Sequence, residues 1–176
     1  MSEEHFEQVT IPHNREAEEA CLGSVLIDPE CFDEVELPSS RFYVHRHRWI
    51  WEAFEHLRSN NTNIDFLTVC SHLEKAGRLA EVGGAAYLTG LLNQVPTSLH
   101  IADYAQMVIK TAERREYLDI ANNIAQGAMN DTLDVPVIMD RMIQQQHGHT
   151  DSYRYYCQNA ILIIAEMGIR YGRNSS

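Results

Sequence analysis

Ile101-Ala102-Asp103-Tyr104-Ala105-Gln106-Met107-Val108-Ile109-Lys110-Thr111-Ala112 is the stretch whose reading decides the fold. Ile101, Ala105, Val108 and Ala112 recur at three- and four-residue steps, the period of one helical face. The pattern resumes with Tyr117, Ala121, Ile124, Ala125 and Ala128, so helix is expected from Leu99 to about Met129. Asn130-Asp131 marks a turn. Val135, Ile138, Met139 and Met142 then predict a returning helix, with Pro136 tolerated in its first turn. The expectation is a long antiparallel helical hairpin over about 99–146. Two long helices have two sides, and one intramolecular contact rarely covers both, so a leftover apolar face points to self-association.

Working outward, the N-terminal half reads as a compact helical bundle. Asn14 is a plausible N-cap, Glu16, Glu18 and Glu19 suit the positive end of the helix dipole, and Ala17, Cys21, Leu22, Val25 and Leu26 supply the apolar stripe. Asp28-Pro29 ends that helix or starts a short one carrying Phe32 and Val35. Ile50, Ala53, Phe54 and Leu57 mark the next helix. Asp65 looks like the cap of another, with Phe66, Val69, Cys70 and Leu73 inward and Gly77 as the stop. Gly83-Gly84 separates it from Leu88, Leu91, Leu92 and Val95, and Pro96 breaks the chain. No strand-like alternation stands out, and the class expected is all-α.

Composition narrows the function. The chain has 176 residues, 44% hydrophobic and 22% charged, as in an ordinary globular protein. Its 14 basic residues against 25 acidic ones give a net charge of −11. A domain that holds nucleic acid by itself normally carries a basic patch to displace counterions from phosphates. The balance favours a protein partner, with DNA reached only indirectly. Cys21, Cys31, Cys70 and Cys157 form no CxxC pair and read as buried or free thiols. The polar, acidic start does not resemble a signal peptide. The apolar run from Ala160 to Ala165 is too short for a bilayer. The expected setting is the cytoplasm, with no membrane association.

Several blocks resemble the opening of DnaB-type replicative DNA helicases. The first is Pro12-His13-Asn14-Arg15-Glu16-Ala17-Glu18-Glu19-Ala20-Cys21-Leu22-Gly23-Ser24. Phe42-Tyr43, His47-Arg48 with Ile50, and Ile64-Asp65 with Thr68 follow. The resemblance is strongest in Leu73-Glu74-Lys75-Ala76-Gly77-Arg78-Leu79 and Val82-Gly83-Gly84-Ala85-Ala86-Tyr87-Leu88. Val95-Pro96-Thr97, Tyr104-Ala105 and Arg114-Arg115 complete it. The blocks stand in family order and cover roughly residues 10–130.

The resemblance implies a collar domain that holds hexameric helicase motors in register, pairs through its C-terminal helical hairpin and offers a docking surface to primase. On this chain it divides the sequence into an N-terminal arm (1–13), the collar domain (14–147) and a divergent tail (148–176). The candidate self-association or partner interface comprises Tyr104, Val108, Ala112, Arg115, Ala121, Ile138 and Met142. The expected partners are further copies of the chain, forming a dimer or higher homo-oligomer, together with primase and helicase motor domains. The ATPase motor of the family needs a phosphate-cradling GxxxxGK[ST] loop, which is absent here. The nearest fragment, Gly168-Ile169-Arg170-Tyr171-Gly172-Arg173-Asn174, has its glycines one residue too close and lacks the Lys and hydroxyl. No catalytic residue, metal or cofactor is therefore assigned to this chain; ATP and magnesium would belong to the motor. Two alternatives remain open: a short stand-alone regulator that joins and modulates a replicative helicase, and a single-stranded DNA-binding module.

Other constellations have plainer readings. His45 and His47 stand two apart on a helix and diverge, so joint metal coordination is awkward. His147 and His149 flank a glycine in an apparent loop. Gly83-Gly84 reads as a turn that opens a helix, with Tyr87 and Leu88 in the core. Trp49, Trp51 and Phe54 could stack on bases, but core or interface packing is the simpler role, with one tryptophan partly exposed. Arg114-Arg115, between Glu113 and Glu116, reads as a solvated face.

Overall fold

The computed structural model describes residues 10–95 and 97–128. The expected second arm of the hairpin, with Ile138 and Met142, the break at Pro96, the tail at 148–176 and Cys157 lie outside the described residues. Among the described residues the chain is helical, with no strand. Helix α1 is Arg15–Ile27, followed by 3-10 turns at Pro29–Glu34 and Ser39–Arg41. Then come α2 (His45–Ser59), α3 (Phe66–Lys75), α4 (Leu79–Val82), α5 (Gly84–Gln94) and α6 (Ile101–Ala128). The all-α expectation holds. The Ile101 and Tyr117 stretches lie in a single helix of 28 residues.

The helix boundaries follow from local chemistry. Asn14 Oδ1 accepts the Ala17 N–H at 3.0 Å and opens α1. Asp28 closes α1 by donating its N–H to Ser24 O, and its carboxylate accepts from Glu30 N–H to start the following turn. At α3, Asp65 and Thr68 form a reciprocal capping box: Thr68 N–H donates to Asp65 Oδ1 at 2.8 Å, and Asp65 N–H to Thr68 Oγ1 at 2.9 Å. The same helix ends at Gly77, with φ +71°. Arg78 N–H bonds Leu73 O and Gly77 N–H bonds Glu74 O, the paired pattern of a Schellman stop. Gly83 and Gly84 both have positive φ, and they join α4 to α5 as a turn.

The chain divides after Glu116. In the first unit the apolar stripes meet in one core. Its centre is aromatic: Trp51 lies 5.0 Å from Phe42, 5.2 Å from Phe32 and 5.8 Å from Phe54, ring centre to ring centre. Trp51 is fully buried whereas Trp49 is only partly so. Helix α1 packs on α5 so closely that Gly23 has no room for a side chain; a Cβ there would meet Leu91 O and Val95 Cγ2, each at 2.6 Å. From α6, Ile101, Ala105, Val108 and Ala112 complete the core. Of the second unit, the described part is the end of α6, where none of the side chains described is buried.

Candidate protein-interaction site

The α6 face chosen from the sequence separates into inward and outward positions. Val108 and Ala112 are closed to solvent by the chain's own core, and Tyr104 packs half-buried against it. Ala121 is exposed. Met107 is 48% exposed and Leu118 47%. Arg115 corrects the solvated-face expectation. Arg114 is exposed, but Arg115 is half-buried and bridges two backbone carbonyls, donating from Nη1 to Pro12 O at 2.9 Å and from Nη2 to Arg41 O at 2.6 Å. Its guanidinium also lies over the Tyr43 ring, 5.4 Å from the centroid. Arg41 in turn pairs with Glu116. Arg115 therefore fastens the start of the described chain and the second 3-10 turn to α6.

A polar network elsewhere in the first unit goes beyond the sequence expectations. Glu18 on α1 is 1% exposed. Its carboxylate accepts from the Tyr43 N–H at 2.7 Å, the Val44 N–H at 3.2 Å and His47 Nδ1 at 2.7 Å. It thus sits at the start of α2, where Val44 offers no side-chain cap. The other ring nitrogen, His47 Nε2, lies 2.6 Å from the Tyr87 hydroxyl, which donates to Glu19 Oε1 at 3.0 Å. Arg15 Nε closes the chain on Glu19 at 2.8 Å, and Arg46 stacks 4.0 Å above the Tyr87 ring. One network therefore links α1, α2 and α5, and each buried carboxylate has donors, as a buried charge requires.

The electrostatics follow from this packing. Burial works against the charged form of Glu19, but the hydrogen bonds from Arg15 and Tyr87 outweigh it and hold the carboxyl below its usual range. Burial and the hydrogen bond to Glu19 push the Tyr87 phenol up to about 12. The Arg15 guanidinium is raised by its bond to Glu19. Burial pushes the Cys31 thiol up to about 12 and the Cys21 thiol higher still, so neither is a ready nucleophile.

His45 turns toward Trp49 while His47 points into the network, so the two do not converge. Among the described residues no group of three or more His, Cys, Asp or Glu side chains is placed to hold a metal. None of the described helices is long and apolar enough to cross a membrane.

These features define the class: a small all-α domain locked by a buried carboxylate–histidine–tyrosine network. Residues 10–110 match the family model described as the DnaB-like helicase N terminal domain, and the chain belongs to that family. The replicative DNA helicase DnaB of Haemophilus influenzae is 35% identical over 143 residues, spanning 79% of this chain and 31% of that protein. The crystal structure of the N-terminal domain of DnaB helicase from Mycobacterium tuberculosis is similar with TM-score 0.72 at 26% identity, covering 77% of this chain and 97% of that one. A DnaB-like replicative helicase, whose structure was solved with its interactions with primase, shares the fold with TM-score 0.65 at 23% identity over 81% of this chain and 34% of its own. The chain thus spans about a third of the length of the full helicases it matches.

Proposed function

We propose that this chain is a non-catalytic interaction domain of a replicative helicase, one that assembles with further copies of itself through α6 and its continuation and offers its head to primase. The observation that carries the reading is the outward apolar surface of α6. Leu118 is 47% exposed and Ala121, about one helical turn on, is exposed too, where a monomer would gain by covering such residues. Tyr104, Arg115 and Ala121, with Ile138 and Met142 on the expected second arm, are the residues assigned to this interface; Val108 and Ala112 support it from inside the core. Primase enters the reading through the structurally similar helicase solved with its interactions with primase. ATP and magnesium belong to the motor domain of the full-length relatives, and this domain works without a cofactor, in the cytoplasm. The net charge of −11 disfavours the alternative of direct single-stranded DNA binding.

Size-exclusion chromatography with light scattering tests the assembly. The chain should elute as a dimer or larger species, and Leu118→Glu should shift it toward monomer. A strict monomer at high concentration overturns the self-association. Calorimetric titration with the helicase-binding domain of a cognate primase tests the docking separately; absence of heat across the titration would remove that half of the reading.

A further inference from the structure

Helices α2 and α3 leave an open groove of about 510 Å³ on the first unit. Its lining includes His56 and Leu57 from the end of α2, and Leu67, Ser71, His72 and Lys75 along one face of α3. No α6 residue lines it, so it is independent of the self-association surface. Leu57 is buried at its floor, whereas Leu67 stands 75% exposed at its rim, the second most open large hydrophobic side chain among the described residues. An isolated exposed leucine means little. A leucine at the mouth of a concave site with an apolar floor offers an anchor point for another apolar side chain.

The charge of the groove is the second observation. The whole chain is strongly acidic, yet no Asp or Glu lines this groove. Lys75 makes no ion pair among the described residues. The neighbours that act electrostatically on His72 are His56, Lys75 and Arg78, all of them basic groups. Arg78 is already neutralised by Glu52 at 2.6 Å, which leaves Lys75 as the fixed charge of the site. The nearest cap carboxylate, Asp65, is turned onto the Thr68 N–H. The His56 and His72 rings lie 4.5 Å apart, centre to centre, and present imidazole groups beside the ammonium. Two imidazoles without a third ligand make a poor metal site, but imidazole N–H groups beside a lysine make a good seat for a carboxylate.

We infer that the α2–α3 groove is a docking site for an acidic amphipathic peptide segment of a partner protein, which places an apolar side chain between Leu57 and Leu67 and a carboxylate against Lys75, His72 and His56. The floor supplies the apolar burial, and Lys75 at the rim selects the sign of the flanking charge. A protein with this net charge repels acidic segments in general, and a groove lined by no carboxylate lowers that repulsion locally.

The probe is a fluorescent helical peptide of about twelve residues, with leucines on one face and glutamates on the other. The controls are the same peptide with lysine replacing glutamate, and an oligo-dT of similar length. Anisotropy of the full chain should show binding of the acidic peptide alone. Leu67→Ser and Lys75→Glu should each weaken it at least about tenfold, roughly 1.4 kcal/mol. Both side chains are exposed, and circular dichroism checks that each variant stays folded. Amide shifts on titration should centre on Thr68, Ser71 and His72. The inference is overturned if the acidic peptide does not bind, if both variants bind it as the parent does, or if the lysine peptide or the oligo-dT takes the groove instead.

Discussion

His47 Nδ1 and Glu18 Oε2 lie 2.7 Å apart with both side chains closed to solvent. Glu18 also takes the N–H groups of Tyr43 and Val44, so a single carboxylate serves three donors where α2 begins. Removing it strands those donors in the interior. Glu18→Ala should cost about 3–5 kcal/mol, as when one partner of a buried pair is lost. Glu18→Gln retains an acceptor and should cost less. Urea unfolding of Glu18→Ala, of His47→Ala and of the double variant gives the coupling energy. A value of about 0.5–3 kcal/mol is expected for groups in one network, and additivity within error would show that the pair is not coupled.

Gly23 and Gly90 are both helical glycines, and their responses to alanine should have opposite signs. Replacing a mid-helix glycine by alanine ordinarily stabilises by about 0.5–1 kcal/mol. At Gly90 nothing lies within 4 Å of a new Cβ, so that gain should appear in full. At Gly23 the new carbon would stand 2.6 Å from the Leu91 carbonyl oxygen, a backbone atom that cannot swing aside. Overpacking of about 1–3 kcal/mol should then exceed the helical gain. Thermal melts of Gly23→Ala and Gly90→Ala should move in opposite directions; a raised melting temperature for both would show that α1 and α5 can part without cost.

The helices were legible because their signals are local. The Asp65 cap, the Gly77 stop and the Ile50–Leu57 stripe each sit within a few residues of the feature they determine. The Glu18–His47 pair lies 29 residues apart, so locally Glu18 reads only as a match to the helix dipole and His47 only as a histidine that diverges from His45. A signal was available in the pattern. Glu18 stands on the spacing of Cys21, Leu22 and Val25, and His47 on that of Ile50, Trp51 and Phe54, so each polar group occupies a core stripe. Two such groups in one small core need partners. Arg115 could not be placed this way. Its ligands are the carbonyls of Pro12 and Arg41, and a backbone acceptor leaves no mark in the sequence.

Acid should weaken the fold in two stages. His72 titrates below its ordinary value of about 6.5, because burial and the nearby His56, Lys75 and Arg78 disfavour its charged form. The unfolded chain therefore takes up the proton first. Stability is complete above the unfolded value and declines as the pH falls through it, levelling off below the folded value. Glu19 is held below the usual carboxylate range in the fold, so its contribution is present at neutral pH and is lost at lower pH, as it protonates. Urea midpoints from pH 7.5 to about 3 should fall in both windows. His72→Asn should abolish the upper decline and leave the lower one; an unchanged upper decline would assign it to another group.

Arg115 fixes the residues before α1 by geometry as much as by charge. Two of its nitrogens reach two carbonyls on separate segments, and a lysine ammonium lacks that fork. Hydrogen bonds from a charged donor contribute about 1.5–3 kcal/mol each. Part of that loss should appear locally, because Pro12 belongs to a stretch with few other anchors, such as the stacking of His13 on Tyr43 at 4.8 Å. In Arg115→Lys, hydrogen exchange should quicken at the Arg41 and Phe42 amides, which bond Pro38 O and Ser39 O, while the Asp65–Lys75 segment keeps its parental rates. Equal acceleration in both regions would mean that the arginine supports the whole core and does not act as a clasp on its edge.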